Sequence, residues 1–183
     1  LHVPPIENIL VCQQEPHLFI NESVPYNIAY GCKSFLKIYQ NNCISPDSDL
    51  FQNYGESVIN AVKLLEIEDL QFKKVSSLSG GEKQRIGLAR VLAVALECPE
   101  RVKLLLLDEY DSALDCRGKE LAYNAIEYIC ELTKCSTISI THNELYKKKN
   151  NYKGIILKDG HIIENGKYSR IWKKHLKYLK NTN

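Results

Sequence analysis

The strongest constraint on the fold is a short apolar run that ends in two carboxylates. Residues 102–107 are apolar except for one Lys, and Asp108 and Glu109 follow directly. A run of this length, closed by charged residues, is typical of a buried strand in a parallel sheet. Because ligands bind at the carboxyl ends of such strands, we expect Asp108 and Glu109 to lie at a functional edge.

Strand and helix patterns alternate on both sides of this run, which predicts an α/β fold. The predicted elements are a strand at 9–11, an amphipathic helix over 56–70, a helix from about Ser79, a strand over 102–107, a helix over about 118–132, a strand over 137–140 and a hairpin of 154–157 with 161–164, turning at Asp159-Gly160. Residues 31–55 are rich in Asn, Ser, Asp and Gln, and we interpret them as a surface loop or insertion.

The helix at Ser79 has a well-defined start. Ser79 and Glu82 have the S-x-x-E spacing of a capping box, and Gly80 and Gly81 lie between them. The first N–H groups of a helix and its positive dipole end bind anions, and bare glycines let a ligand approach closely. The sequence therefore predicts an anion site here, and phosphate is the anion we expect.

Composition excludes several classes of protein. With 24 Lys and Arg against 22 Asp and Glu, the chain is not a globally basic nucleic-acid binder. Residues 147–183 carry 11 basic and 2 acidic side chains, and we interpret this tail as a solvated helical face rather than a membrane-attracted one. The seven cysteines form no CxxC pair, which favours a reducing compartment. No apolar run approaches the roughly 18 residues of a membrane span.

Five short motifs, in this order, resemble those of the ATP-binding-cassette (ABC) ATPases. They are Gln14–Phe19, similar to the Q-loop; Leu78–Arg85 (LSGGEKQR), similar to the signature; Leu104–Glu109 (LLLLDE), similar to Walker B; Ser112–Asp115, similar to the D-loop; and Thr141-His142, similar to the switch histidine. The resemblance implies an incomplete P-loop NTPase fold with a helical signature subdomain. It divides one partial domain into a Q-loop region (1–20), a helical subdomain (21–96) and a Walker B, D-loop and C-terminal part (97–183).

The resemblance also implies roles for the residues at the element ends. Asp108 and Gln14 would hold Mg²⁺, Glu109 would act as general base on water, and His142 would contact the γ-phosphate of ATP, with Gln14 also contacting water. The signature residues would bind the nucleotide of a second nucleotide-binding domain in a head-to-tail dimer, with the D-loop beside them. The signature residues are Ser79, Gly80, Gly81 and Glu82. The D-loop residues are Ser112, Ala113, Leu114 and Asp115. A transmembrane domain is the other expected partner; no nucleic acid is expected.

One motif of the family is missing from the sequence. No G-x-x-x-x-G-K-[ST] phosphate loop occurs, and the nearest string, 160–167, has five residues between its glycines and is followed by Tyr168. In the family this loop precedes the Q-loop. Together with a first residue, Leu1, that is not Met, this leads us to expect a fragment that does not hydrolyse ATP by itself.

Spacing favours a transporter over other ABC ATPases. Leu78 follows Gln14 by only 64 positions, whereas chromosome-maintenance ATPases carry a long coiled coil there. Residues 26–31 (YNIAYG) are similar to eukaryotic half-transporters, including mitochondrial exporters, so we expect a membrane-associated protein on a cytosolic or organelle-matrix face. A non-transport ABC ATPase, an incompetent fragment and a half that supplies only its signature motif stay open. Tyr110-Asp111 replaces the family's Ala-Thr and is expected to place a ring and a carboxylate near the site.

Overall fold

The computed structural model describes residues 4–34, 54–142 and 152–181. Numbered along these residues, the elements are β1 (Ile9–Cys12), α1 (Val24–Ala29), α2 (Glu56–Leu64), α3 (Gly80–Glu97), β2 (Leu104–Asp108), α4 (Cys116–Thr133), β3 (Ser136–Ile140), β4 (Lys153–Lys158), β5 (His161–Lys167) and α5 (Tyr168–Asn181). They form two compact units, Leu1–His142 and Asn143–Asn183. Most of the polar segment 31–55 and the lysines at 147–149 lie outside the described residues.

The first unit contains a parallel sheet in the order β1-β2-β3. The central strand β2 pairs with both neighbours, so that Leu107 lies opposite Cys12 and Ser139. Leu105 and Leu107 are buried on one face. On the other face apolar side chains meet solvent, with Val11 50%, Ile138 60% and Ile140 58% exposed. The predicted strand is confirmed, but only one of its faces is fully covered.

Three helices surround α3, which provides much of the core. It packs against α1, α2 and α4, and its start at Ser79 is the predicted one, with both bonds of the capping box present. The predicted helix over 56–70 ends early: α2 stops at Leu64, and Glu66 takes a left-handed φ of 50° before a 3₁₀ turn over Glu68–Phe72. The left-handed residue cannot continue a right-handed helix, which explains the break.

The second unit is a hairpin with a helix. β4 and β5 are antiparallel, and Asp159 and Gly160 have φ of 50° and 77°, as a type I′ turn requires, so the predicted hairpin is confirmed. A Cβ at Gly154 would lie 3.1 Å from the Ile171 Cβ, which shows how closely α5 packs on β4. Within 4–34, 54–142 and 152–181, no helix combines the length and apolarity that crossing a membrane requires.

Candidate active site

Three polar side chains from distant parts of the sequence meet at the carboxyl edge of the sheet. Gln14 follows β1, Glu109 follows β2 and His142 follows β3. Gln14 Nε2 donates a hydrogen bond of 3.0 Å to Glu109 Oε2, and His142 Nε2 lies 3.8 Å from Glu109 Oε1. The structure therefore places two of the predicted catalytic residues, Gln14 and His142, beside the carboxylate of the third, Glu109, although the roles of all three stay predictions.

The backbone at Glu109 is held in an unusual conformation. Its φ is +42°, in the left-handed region that residues other than glycine rarely adopt. Glu109 N donates to Ile140 O at 2.9 Å, and Ser112 N donates back to Glu109 O at 3.0 Å, so the chain turns directly after the sheet. The Glu109 side chain is 31% exposed. Left-handed conformations of residues other than glycine persist where surrounding contacts enforce them, and they cluster at functional sites.

One buried glutamine, which lies in the motif Leu78–Arg85 but was assigned no role there, connects the site to α3. Gln84, on α3, is 4% exposed. Its Nε2 donates to Gln14 O (3.0 Å), Glu109 O (3.4 Å) and Ser112 Oγ (2.9 Å), and its Oε1 accepts from Ala113 N at 2.9 Å. Gln84 thus joins the segments that resemble the Q-loop, Walker B and D-loop.

A signal for Gln84 was present in the sequence. It occupies the same helical stripe as Gly87, Leu88 and Val91, which are three, four and seven positions further on and are buried. A polar side chain on a buried stripe needs hydrogen-bond partners. The pattern therefore predicts a polar contact at this position, although it does not say which segments supply the partners.

The predicted signature residues contact the predicted D-loop. An ideal Cβ at Gly81 would lie 2.9 Å from Ala113 O, so only glycine fits without a shift of the backbone, whereas at Gly80 the nearest atom, Ala113 Cβ, is 3.8 Å away. The two segments are therefore in van der Waals contact in this chain. Gly81 has a packing reason to be glycine in addition to the predicted anion site.

Glu82 has a structural role whether or not it meets a nucleotide. Its Oε2 accepts from Ser79 N at 2.7 Å, and Ser79 Oγ accepts from Glu82 N at 3.3 Å. Lys73 Nζ donates to Glu82 Oε1 at 2.7 Å. The hydrogen bond from Lys73, followed by that from the Ser79 backbone, lowers the pKa of the Glu82 carboxyl to about 2.

The two residues after Glu109 are buried. The Tyr110 ring is fully buried in the hydrophobic core, so it presents no surface to a ligand, and its expected place near the site stays a prediction. Asp111 is 4% exposed and accepts from Thr141 Oγ1 at 3.3 Å, next to His142. Asp115, rather than Asp108 or Glu109, caps α4 by accepting from Gly118 N at 2.7 Å.

Arg90, on α3, hydrogen-bonds both α1 and the segment after Gln14. Arg90 Nε donates to Asn27 O at 2.7 Å, and one terminal nitrogen donates to His17 O at 2.9 Å. The guanidinium lies 5.8 Å from the centroid of the Phe19 ring and 5.9 Å from that of Tyr30. Burial lowers the pKa of Arg90 below its usual value. Planar stacking and directed donors together are characteristic of arginine rather than lysine.

The comparison with known proteins decides the family. The family model described as "ABC transporter" matches residues 4–112, more than half of the chain. The chain belongs to the ABC transporter family. The resemblance carried by the five motifs is thereby confirmed, and the division into 1–20, 21–96 and 97–183 stays a prediction.

The relatives of this ABC chain are longer proteins. It is 34% identical over 169 residues to the ABC multidrug transporter mdr4 of Aspergillus fumigatus, covering 88% of this chain and 11% of that protein. It is 29% identical over 158 residues to the energy-coupling factor transporter ATP-binding protein EcfA1 of Staphylococcus saprophyticus, covering 86% and 52%. The chain thus spans about half or less of the length of these curated relatives.

Solved structures confirm the P-loop NTPase fold of the ABC ATPases. A bacterial Atm1-family ABC exporter with ATP bound superposes with a TM-score of 0.64 at 24% identity, covering 95% of this chain and 27% of that one. An ATP-binding cassette in a dimeric post-hydrolysis state, bound to ADP and Pi, superposes with a TM-score of 0.65 at 20% identity, covering 87% and 62%. At these identities the likeness concerns the fold.

Proposed function

We propose that this chain is part of a nucleotide-binding domain that hydrolyses ATP to drive transport across a membrane. The observation that carries the proposal is the meeting of Gln14, Glu109 and His142 at one sheet edge. In the proposed step, a water molecule attacks the γ-phosphorus, Glu109 accepts its proton, and ADP leaves. The Gln14 amide holds the carboxylate in orientation, and His142 faces the phosphate.

The donor set at this edge suits Mg²⁺ that arrives with the nucleotide. Among the residues that the structure describes, no three His, Cys, Asp or Glu side chains are grouped as a metal site. Mg²⁺ commonly takes only one or two carboxylates and completes its shell with phosphate oxygens and water. Asp108, exposed at the end of β2, and the amide oxygen of Gln14 fit that pattern. The bound ion would neutralise charge on the phosphates.

The proposal includes a second nucleotide-binding domain and a transmembrane partner. Ser79, Gly80 and Gly81 begin α3, an 18-residue helix whose N-terminal end suits an anion. In a head-to-tail dimer this end would bind the nucleotide held by the partner. The domain would sit on the water-exposed face of a membrane. The relatives reported above give no support for a mitochondrial location, so the proposal does not include one.

The test restores the missing phosphate loop. A strand–loop–helix unit carrying G-x-x-x-x-G-K-[ST], taken from an ABC ATPase, is fused ahead of this chain, and ATP binding and phosphate release are measured. Glu109→Gln should keep ATP binding and lower turnover by about 10²-fold or more, as expected for removal of a general base. The matched control is Glu120→Gln, on an exposed face of α4 (57% exposed), which should leave turnover unchanged. Equal turnover in both variants would refute the role of Glu109.

A half that supplies only its signature motif is the second candidate, favoured by an ordered α3 start in a sequence without a phosphate loop. For the 183-residue chain alone, we expect calorimetry to detect no micromolar Mg-ATP binding, because the backbone loop that surrounds the phosphates is missing. Micromolar affinity would contradict this. The second candidate predicts that this chain associates, in the presence of ATP, with a domain that has its own phosphate loop. ATP turnover by that domain should then depend on Gly81 of this chain and persist when this chain carries Glu109→Gln.

A further inference from the structure

We propose that Asp111 is a positioning residue, which holds Thr141 and thereby the place of His142 beside Glu109. Under the proposed function, on which this inference rests, His142 faces the phosphate and Glu109 accepts the proton. The Asp111 side chain is buried, and Thr141 Oγ1 donates to its carboxylate, at 3.3 Å from one oxygen and 3.4 Å from the other. The contact joins the turn after β2 to the residue that directly precedes His142.

The turn that carries Asp111 is held from the side of α3. Gln84, on that helix, donates from Nε2 to Glu109 O and to Ser112 Oγ, which lie on either side of Asp111. Within the turn, Leu114 N donates to Asp111 O at 3.2 Å. These contacts do not involve Thr141, so the turn provides a fixed support to which the end of β3 is attached.

The place of His142 depends on the backbone before it. Its side chain is 70% exposed, and the 3.8 Å between His142 Nε2 and Glu109 Oε1 is longer than a hydrogen bond. β3 ends at Ile140, whose carbonyl oxygen accepts from Glu109 N at 2.9 Å. With the contact of Thr141, two successive residues are therefore attached to the turn after β2, and His142 is the next residue.

The chemistry of the pair makes the contact hard to separate. An ionised carboxylate only accepts hydrogen bonds, and burial of its charge is costly unless donors compensate for the lost water. The Thr141 hydroxyl supplies such a donor to Asp111. Displacement of Thr141 would leave the buried charge less well satisfied, so the charge of Asp111 opposes movement of the chain at this point.

Hydrogen exchange tests the attachment without ATP. Thr141→Val removes the donor and keeps the shape of the side chain. In the 183-residue chain, NMR should find the Glu109 amide, which donates to Ile140 O, exchanging about tenfold faster relative to the amides of α2. Thr141→Ser keeps the hydroxyl and should exchange as wild type. So should Thr137→Val, on the same strand, whose hydroxyl lies beside Cys130.

A second substitution decides where Thr141→Val does not fold. Asp111→Ala removes the buried charge together with the contact, so no unsatisfied carboxylate remains. It should accelerate exchange at Glu109 by a similar factor, and Thr141→Val should add nothing in the Asp111→Ala background. Exchange at Glu109 within about twofold of wild type in Asp111→Ala, or additive increases in the double variant, would overturn the proposal.

Turnover tests whether Thr141 acts through His142. In the chain with the restored phosphate loop, Thr141→Val should lower kcat about tenfold and change KM for ATP by less than about twofold, because the phosphate loop supplies most of the nucleotide binding. In the His142→Ala background the same substitution should change kcat by less than about twofold. A tenfold loss in both backgrounds would overturn the positioning role. Absence of turnover in the restored chain without substitutions would count against the proposed function, and hydrogen exchange would still decide the role of Asp111.

Discussion

Replacement of Gln84 by Met tests whether one buried amide holds the candidate site together. Met has a similar length, but it can neither donate to Gln14 O, Glu109 O and Ser112 Oγ nor accept well from Ala113 N. A neutral hydrogen bond contributes about 1 kcal/mol net. Four contacts set an upper limit of about 4 kcal/mol, and because several of the partners are exposed and can turn to water, we expect a loss of about 2 kcal/mol.

The free energy of unfolding is measured by urea denaturation, and its dependence on urea concentration is compared between the variants. Gln13→Met is the matched control, because Gln13 is exposed in the neighbouring loop position; its loss should stay below about 0.5 kcal/mol. A loss below about 0.5 kcal/mol for Gln84→Met would refute the reasoning.

Gln84→Glu separates hydrogen bonding from packing. The variant keeps an acceptor for Ala113 N but places a carboxylate against the carbonyl oxygens of Gln14 and Glu109. At neutral pH it should be at least as unstable as Gln84→Met. Burial raises the pKa of such a carboxyl, so protonation on acidification restores one donor, and the difference in unfolding free energy from wild type should shrink as the pH falls. An unchanged difference across the acid range would indicate that packing alone is lost.

Three further substitutions, with Gly80→Ala as a control, test the contacts around α3. Gly81→Ala should lower the free energy of unfolding by about 1–3 kcal/mol, since its Cβ would meet Ala113 O at 2.9 Å, whereas Gly80→Ala should be tolerated; urea unfolding compares them. Glu82 has its pKa lowered from 4.5 to about 2, so its contribution is present above about pH 4.5 and lost as the pH falls towards 2; Glu82→Gln, which keeps the cap, should remove this part of the acid dependence of melting. Arg90→Lys should cost about 1–2 kcal/mol in urea, because lysine cannot supply the directed donors or the stacking.

Local signals predicted several elements of both units, including two that position the site. The capping box at Ser79 and the Asp159-Gly160 turn depend on neighbours in sequence, and the sequence contains those neighbours. The apolar run ending at Asp108 likewise located the sheet edge, because parallel strands present their carboxyl ends together. The left-handed residue Glu66 had no such signal: its conformation ends α2 early, and periodicity cannot detect a single φ of the opposite sign.

The burial of the Tyr110 ring could not be predicted from the sequence, for a physical reason. Tyr110 was expected near the site because it follows Glu109 in sequence. Glu109 has a left-handed φ, the Tyr110 ring lies in the core, and Asp111 contacts Thr141, the residue before His142.

Helix α3, which begins at the predicted signature motif, contacts the segment that contains Gln14. Gln84, Gly87 and Arg90 follow one another at intervals of three, on one helical face, and each touches the segment after β1. Gln84 Nε2 bonds Gln14 O, a Cβ at Gly87 would lie 2.4 Å from the Pro16 Cβ, and Arg90 bonds His17 O. Since Gln84 Nε2 also bonds Glu109 O, α3 contacts both partners of the 3.0 Å hydrogen bond between Gln14 and Glu109. Under the proposed function, a nucleotide bound at the start of α3 by the partner domain would act on the catalytic carboxylate through this face.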